Sequence, residues 1–133
     1  MINVVVVTHG DFGEALIRAA EMIVGPQENV RAVALLPEES PAGFGDKLDA
    51  AMAELDGQET LLLIDLFGGT PCNVSSRKVL QSNVEVITGM NMAMLIEALT
   101  SRDGTGLCDL VVQVTEAGQQ AVVNLKPLLC RNG

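Results

Sequence analysis

Three short stretches of this 133-residue chain carry the residue types that do chemistry. Val4-Val5-Val6-Val7-Thr8-His9-Gly10-Asp11 ends a β-branched run at the chain's only histidine. Asp65-Leu66-Phe67-Gly68-Gly69-Thr70-Pro71 places a carboxylate before a glycine pair and a hydroxyl. Thr88-Gly89-Met90-Asn91-Met92 is the third. A carboxylate that accepts a bond from one imidazole N–H fixes the tautomer. The other ring nitrogen then keeps its lone pair and can serve as a base or a nucleophile. Gly68 and Gly69 let backbone N–H groups come close to an anion. A helix starting at Gly10, Asp11 and Phe12 adds unpaired N–H groups and the positive end of a helix dipole. Thr70 adds a hydroxyl donor. These parts suit a phosphoryl group carried on His9 and oriented through Asp65. Phosphoryl transfer asks chiefly for positioning and electrostatic stabilisation. No carboxylate cluster points to magnesium, and neither a metal nor a cofactor is expected.

Plainer readings stand beside these. A histidine after an apolar strand is often structural. Asp65 has an alternative role as a helix cap, and a glycine pair by itself mostly marks a tight turn. Asn91 either faces the crevice or only makes the turn. Met90, Met92 and Met94 read as core filler. Asp11-Phe12-Gly13 spells a kinase magnesium motif, but the chain is far too short for a kinase and has no HRD segment. A response-regulator reading with Asp65 as phosphoacceptor needs an acidic pair near the first strand and a lysine after a later one. Asp11 stands alone, and Lys126 is badly placed.

Strands and helices that would position these residues alternate along the chain. Hydrophobic runs predict strands β1 (Ile2 to Thr8), β2 (Val30 to Leu36), β3 (Thr60 to Leu66) and β4 (Asn83 to Thr88). Helical spacing of apolar residues predicts α1 (Phe12 to Val24, with Leu16, Ala19, Ala20 and Ile23 inward), α2 (Gly43 to Leu55), α3 (Pro71 to Leu80), α4 (Met92 to Leu99) and α5 (from Leu107 through Ala117). Val122 to Leu125 reads as a short final strand. Continuous apolar strands are buried on both faces. Their alternation with helices predicts a parallel sheet with helices on both sides, a three-layer α/β/α arrangement. Right-handed crossovers bring all carboxyl ends of the strands to one edge. In the order 2-1-3-4, β1 and β3 are neighbours at the switch point, where ligands bind in such folds. His9, Asp65 and the glycine loop should therefore meet.

Composition narrows the function classes. One domain over residues 1–133 is expected from the length. The net charge of −9, with only eight scattered Lys and Arg residues, argues against nucleic acid, whose backbone needs clustered positive charge. Apolar residues make up 48% without a run long enough for a membrane span. The first residues lack a signal-peptide pattern, so a cytoplasmic protein is expected. Cys72, Cys108 and Cys130 are odd in number and lack CxxC spacing. Reduced thiols fit the cytosol. Cys72, beside the glycine loop, reads as a packed thiol, with a second reading as a thiolate at a helix start.

The motifs Val-Thr-His-Gly after β1, Asp-Leu-Phe-Gly-Gly-Thr-Pro after β3 and Thr-Gly-Met-Asn-Met after β4 resemble those of the mannose-family enzyme IIA domains. These belong to the bacterial phosphoenolpyruvate-dependent sugar phosphotransferase system (PTS). The resemblance covers essentially the whole chain, and the β3 motif is its most specific part. It implies that His9 accepts a phosphoryl group from the phosphocarrier HPr and passes it to the IIB component, with the membrane IIC/IID complex downstream. It implies that Asp65 orients His9 and that Thr70 lies near the phosphate. Gly10, Asp11, Phe67, Gly68, Gly69 and Asn91 are the accompanying binding candidates. The family fold is a mainly parallel sheet, commonly in a homodimer whose carboxyl-terminal antiparallel strand crosses to the partner subunit. Val122 to Leu125 is the candidate for that strand. Many relatives fuse IIA to IIB through a flexible linker. No linker is seen here, so a free-standing IIA protein or an excised domain is expected. Two competing readings are the similar phosphotransferase subunit of dihydroxyacetone kinase and a flavodoxin-like ligand-binding or regulatory module without turnover.

Overall fold

Strands as apolar as Val4–Val7 and Leu61–Ile64 are stable only where both faces are covered. The computed structural model, which describes residues 1–130, covers them with helices on both sides. Strands β1 (Asn3–His9), β2 (Val30–Leu35), β3 (Thr60–Ile64) and β4 (Val84–Ile87) form an all-parallel sheet in the order β2-β1-β3-β4. Helices α1 (Phe12–Val24), α2 (Pro41–Ala53), α3 (Gly69–Ser75), α4 (Met92–Ser101), α5 (Leu107–Gln120) and α6 (Leu125–Cys130) complete the described chain. A 3-10 segment, Ser76–Leu80, continues α3. No helix among the described residues is long and apolar enough to cross a membrane.

Alternation along the strands divides the core in two. Val4, Val6, Leu61 and Leu63 face a layer of α1, α4 and α5 residues, including Ala20, Leu95, Leu110 and Val114. Val5, Val7, Leu62 and Ile64 face the other layer, with Phe44 and Leu48 of α2 and Val74 of α3. All eight of these strand residues are fully buried. Each contributes roughly 1.5–3 kcal/mol relative to exposure, so β1 and β3 anchor the molecule.

Several boundaries differ from the sequence reading, each for a local reason. Helix α2 begins at Pro41 rather than Gly43, because the Ser40 hydroxyl accepts from the Gly43 N–H at 3.0 Å and Pro41 suits the first turn. Helix α3 begins at Gly69 rather than Pro71. First-turn N–H groups have no partner inside a helix, so the glycine loop runs straight into the helix without loss at Pro71. In α1, Ile17 and Val24 pack inward, and Ile23 is exposed. The final strand expected at Val122 to Leu125 is not formed. Ala121 makes a turn, and α6 starts at Leu125. A lone strand has no hydrogen-bonding partner of its own, whereas a helix satisfies its backbone locally.

The amino-terminal edge of the sheet is closed by a cation. Arg102, only 2% exposed, donates through Nη1 to the carbonyls of Ile2 and Asn29, both at 3.0 Å. Its Nη2 donates to the carbonyl of Glu28 and to Gln27 Oε1. Burial lowers its pKa, and the nearby Asp103 and Glu28 carboxylates oppose that shift. One side chain thus ties the end of α4 to the start of β1 and the α1–β2 loop. Replacing it by Met takes the donor from the buried Ile2 carbonyl and from the part-buried Asn29 and Glu28 carbonyls, so Arg102→Met is expected to lose about 3 kcal/mol of unfolding free energy in urea. A loss below about 1 kcal/mol would show that water takes over these carbonyls.

Candidate functional site

The pairing of β1 with β3 delivers the site. Val7 pairs with Ile64, and the Asp65 N–H donates to the Val7 carbonyl at 3.2 Å. Both chains leave the sheet at the same edge. There a single carboxylate oxygen, Asp65 Oδ2, accepts from the His9 main-chain N–H at 2.9 Å and contacts His9 Nδ1 at 2.9 Å. The Nδ1 contact makes Nδ1 the protonated nitrogen in the neutral ring and leaves the lone pair on Nε2. Asp65 Oδ1 is buried without a hydrogen-bond partner among the described residues. The carboxylate is thus largely enclosed, its side chain 12% exposed, whereas the His9 side chain is 49% exposed. That contrast favours His9 over Asp65 as the accessible acceptor.

Gly69 stands against the ring. A β-carbon built on it would lie 3.4 Å from His9 Cε1 and 3.5 Å from Nε2. Its φ of +82°, after +92° at Gly68, is in the region that favours glycine. The loop therefore turns bare backbone toward the nitrogen that carries the lone pair. Gly68 caps α3 without a side-chain bond, so the first-turn N–H groups have no side-chain acceptor there.

Other candidates are placed less uniformly. Gly10 turns the chain with φ +55° and donates to the Leu35 carbonyl at 2.8 Å. Asp11 occupies the N-cap position of α1 with an exposed side chain that makes no capping bond. Thr70 lies half-buried in the first turn of α3, and its hydroxyl bonds to none of the described residues. Phe67 is 81% exposed. Asn91 caps α4, its Oδ1 accepting from Met94 N at 3.0 Å and its Nδ2 donating to the Gly118 carbonyl at 3.1 Å. Those are the contacts of the turn-making alternative. Cys72 packs against the α2 side of the core. On the β2 side, Glu39 closes a turn by accepting from Leu36 N–H at 3.0 Å. That backbone bond, then Lys47, hold its carboxyl below the usual range.

Sequence reasoning missed the exposed Leu36 and Leu66, which with Phe12 and Phe67 surround this edge. Their exposure cannot be seen in residue type. A cavity of about 620 Å³ opens among Asp56, Glu59, Arg102 and Asp103, at the opposite edge of the sheet from His9. On its wall, Arg102 is committed to the bonds that tie the loops of that edge together.

Residues 3–115 match the family described as PTS system fructose IIA component. The chain belongs to this family. It is 40% identical over 94% of its length to the PTS system mannose-specific EIIAB component of Escherichia coli strain K12, of which it spans 40%. It is 32% identical to the fructose-specific EIIA component of Bacillus subtilis strain 168, covering 91% of this chain and 84% of that protein. The crystal structure of a phosphotransferase system component EIIA from Streptococcus agalactiae superposes with a TM-score of 0.87 at 33% identity, covering 95% and 98% of the two chains. The all-parallel 2-1-3-4 sheet of this IIA chain is thus shared with a relative of similar sequence. The relatives also place it with the sugar phosphotransferase system.

The Asp65 contact carries a direct expectation for the ring. In ¹⁵N spectra the neutral His9 imidazole should carry its proton mainly on Nδ1. Asp65→Ala should lose that preference while the fold persists, and an unchanged ring signature would remove Asp65 from control of the tautomer.

Proposed function

We propose that this IIA chain is a cytoplasmic phosphohistidine carrier. His9 accepts a phosphoryl group from phospho-HPr and passes it to a IIB component that serves the membrane IIC/IID complex. The contact of His9 Nδ1 with Asp65 Oδ2, which leaves Nε2 beside Gly69, is the observation that carries this reading. In the transfer, the Nε2 lone pair attacks phosphorus and forms a new N–P bond. The donor's bond to phosphorus breaks, and its electron pair returns to the donor. Nδ1 keeps its proton throughout. The positive charge on the phosphorylated ring is balanced by Asp65, and the same carboxylate holds the ring for the next in-line transfer to IIB. Backbone N–H groups of the glycine loop and the Thr70 hydroxyl are the donors assigned to the phosphoryl oxygens. The open rim suits an acceptor that meets other proteins rather than a small enclosed substrate.

We also infer a homodimer. Val122, Val123, Leu125, Leu128 and Leu129 are all at least half exposed on the segment through α6. Contiguous exposed apolar surface of this kind marks an interaction site.

Intact mass after incubation with phosphoenolpyruvate, enzyme I and HPr tests the carrier reading. Wild type should gain one phosphate that is lost in mild acid and kept in base, and His9→Ala should gain none. Asp65→Ala should be phosphorylated about a hundredfold more slowly. No added mass on wild type, with HPr active on a control, would end the proposal. For the dimer, sedimentation should show two copies for wild type and a shift toward monomer for Leu125→Asp/Leu129→Asp. A monomeric wild type would refute it.

A further inference from the structure

We propose that Thr8 is a positioning residue for His9, its hydroxyl fixing the turn between β1 and α1 on which the imidazole stands. The consequence for transfer rests on the carrier reading, whereas the consequence for the ring does not. Thr8 precedes His9 and is 1% exposed. Its Oγ1 accepts from the Gly13 N–H at 2.9 Å and donates to the Gly10 carbonyl at 3.4 Å. These two bonds span the turn that follows His9. They also replace a missing cap. Asp11 holds the N-cap position but has φ −90° and ψ 13°, outside the extended backbone of a capping residue, and its side chain makes no capping bond. A buried threonine of the strand therefore does the capping, and the Asp11 carboxylate stays free at the surface.

Gly13 fits the same device. A β-carbon there would lie 2.9 Å from Val6 Cγ1 and 3.2 Å from Thr8 Oγ1, so the helix start is pressed directly on the strand. The main chain of His9 is thus held twice, by Asp65 Oδ2 at its own N–H and by Thr8 across the following turn. Removing the hydroxyl leaves a buried Gly13 N–H without an acceptor, which is costly unless the turn moves. Any such movement carries His9 with it, away from the shared carboxylate oxygen and from Gly69.

The test compares Thr8→Val, which keeps the shape, with Thr8→Ser, which keeps the hydroxyl. Two readouts are taken on folded protein: the ¹⁵N signature of the unphosphorylated His9 ring, and the rate of phosphoryl uptake from phospho-HPr. Thr8→Val should weaken the Nδ1–H preference and slow uptake by about tenfold or more, and Thr8→Ser should hold both close to wild type. If Thr8→Val does not fold, Thr8→Cys, whose thiol is a weak acceptor, takes its place. An unchanged ring signature in the valine variant overturns the proposal, whatever the rate does. So does a serine variant that restores neither readout. If wild type takes up no phosphoryl group but the valine variant still loses the ring signature, the carrier reading fails and the placement of His9 by Thr8 stands.

Discussion

One carboxylate oxygen organises the functional edge of this molecule. Asp65 Oδ2 takes both the main-chain N–H and the ring nitrogen of His9, so the backbone and the side chain of the histidine are set by the same atom. That arrangement is only as accurate as the register between β1 and β3. A slip of one residue would turn every side chain of β1 to the other face and separate the two groups. The register is held in turn by Val4–Val7 against Leu61–Ile64, all fully buried. Apolar burial along two parallel strands is thus converted into the position of a polar pair at their ends.

The sequence exposes this part of the design for a physical reason. Unbroken β-branched and leucine runs admit few assignments besides central parallel strands. The residues that end such runs must emerge together once the strand order is known, so His9, Asp65 and the glycine pair were legible as neighbours. Features that depend on local choices were not. Ser40-Pro41 is a cap followed by a first-turn proline, yet it lies in a proline-bounded polar stretch that equally describes a loop. Asn91 is equally at home facing a ligand or capping α4, and only its bonds to Met94 N and the Gly118 carbonyl distinguish the two. Thr8 was hidden because a threonine in a valine run reads as one more strand former, while its hydroxyl serves the next helix. The carboxyl-terminal segment has an apolar pattern too short to separate strand from helix, and its neighbours in space are not encoded nearby.

The two edges of the sheet divide the labour. At the amino-terminal edge, Arg102 and Asn3 sew loops to strands through buried bonds, Asn3 reaching Gly57 and Thr60. That edge spends most of its buried polar groups on internal bonds, with Arg102 Nε left without a partner among the described residues. The carboxyl edge does the reverse. It leaves Nε2 of His9 without a hydrogen-bond partner among the described residues and the first-turn N–H groups of α3 without a side-chain cap, and it exposes Phe12, Leu66 and Phe67 around them.

Such an edge cannot exclude water by itself, since the His9 ring is about half in solvent. A phosphoramidate there would be electrostatically supported by the loop yet open to hydrolysis. On the carrier reading this openness is a requirement rather than a defect. The same nitrogen must face a donor and later an acceptor, and a lid shaped for one would obstruct the other. Each partner must instead bring its own cover and press it onto the rim. Apolar side chains that remain exposed in the free chain are suited to that, because their burial rewards any partner that seals the site and demands no bond specific to one of them. The specific bonds can then stay with His9, Asp65 and the glycine loop, which remain the same for both halves of the transfer.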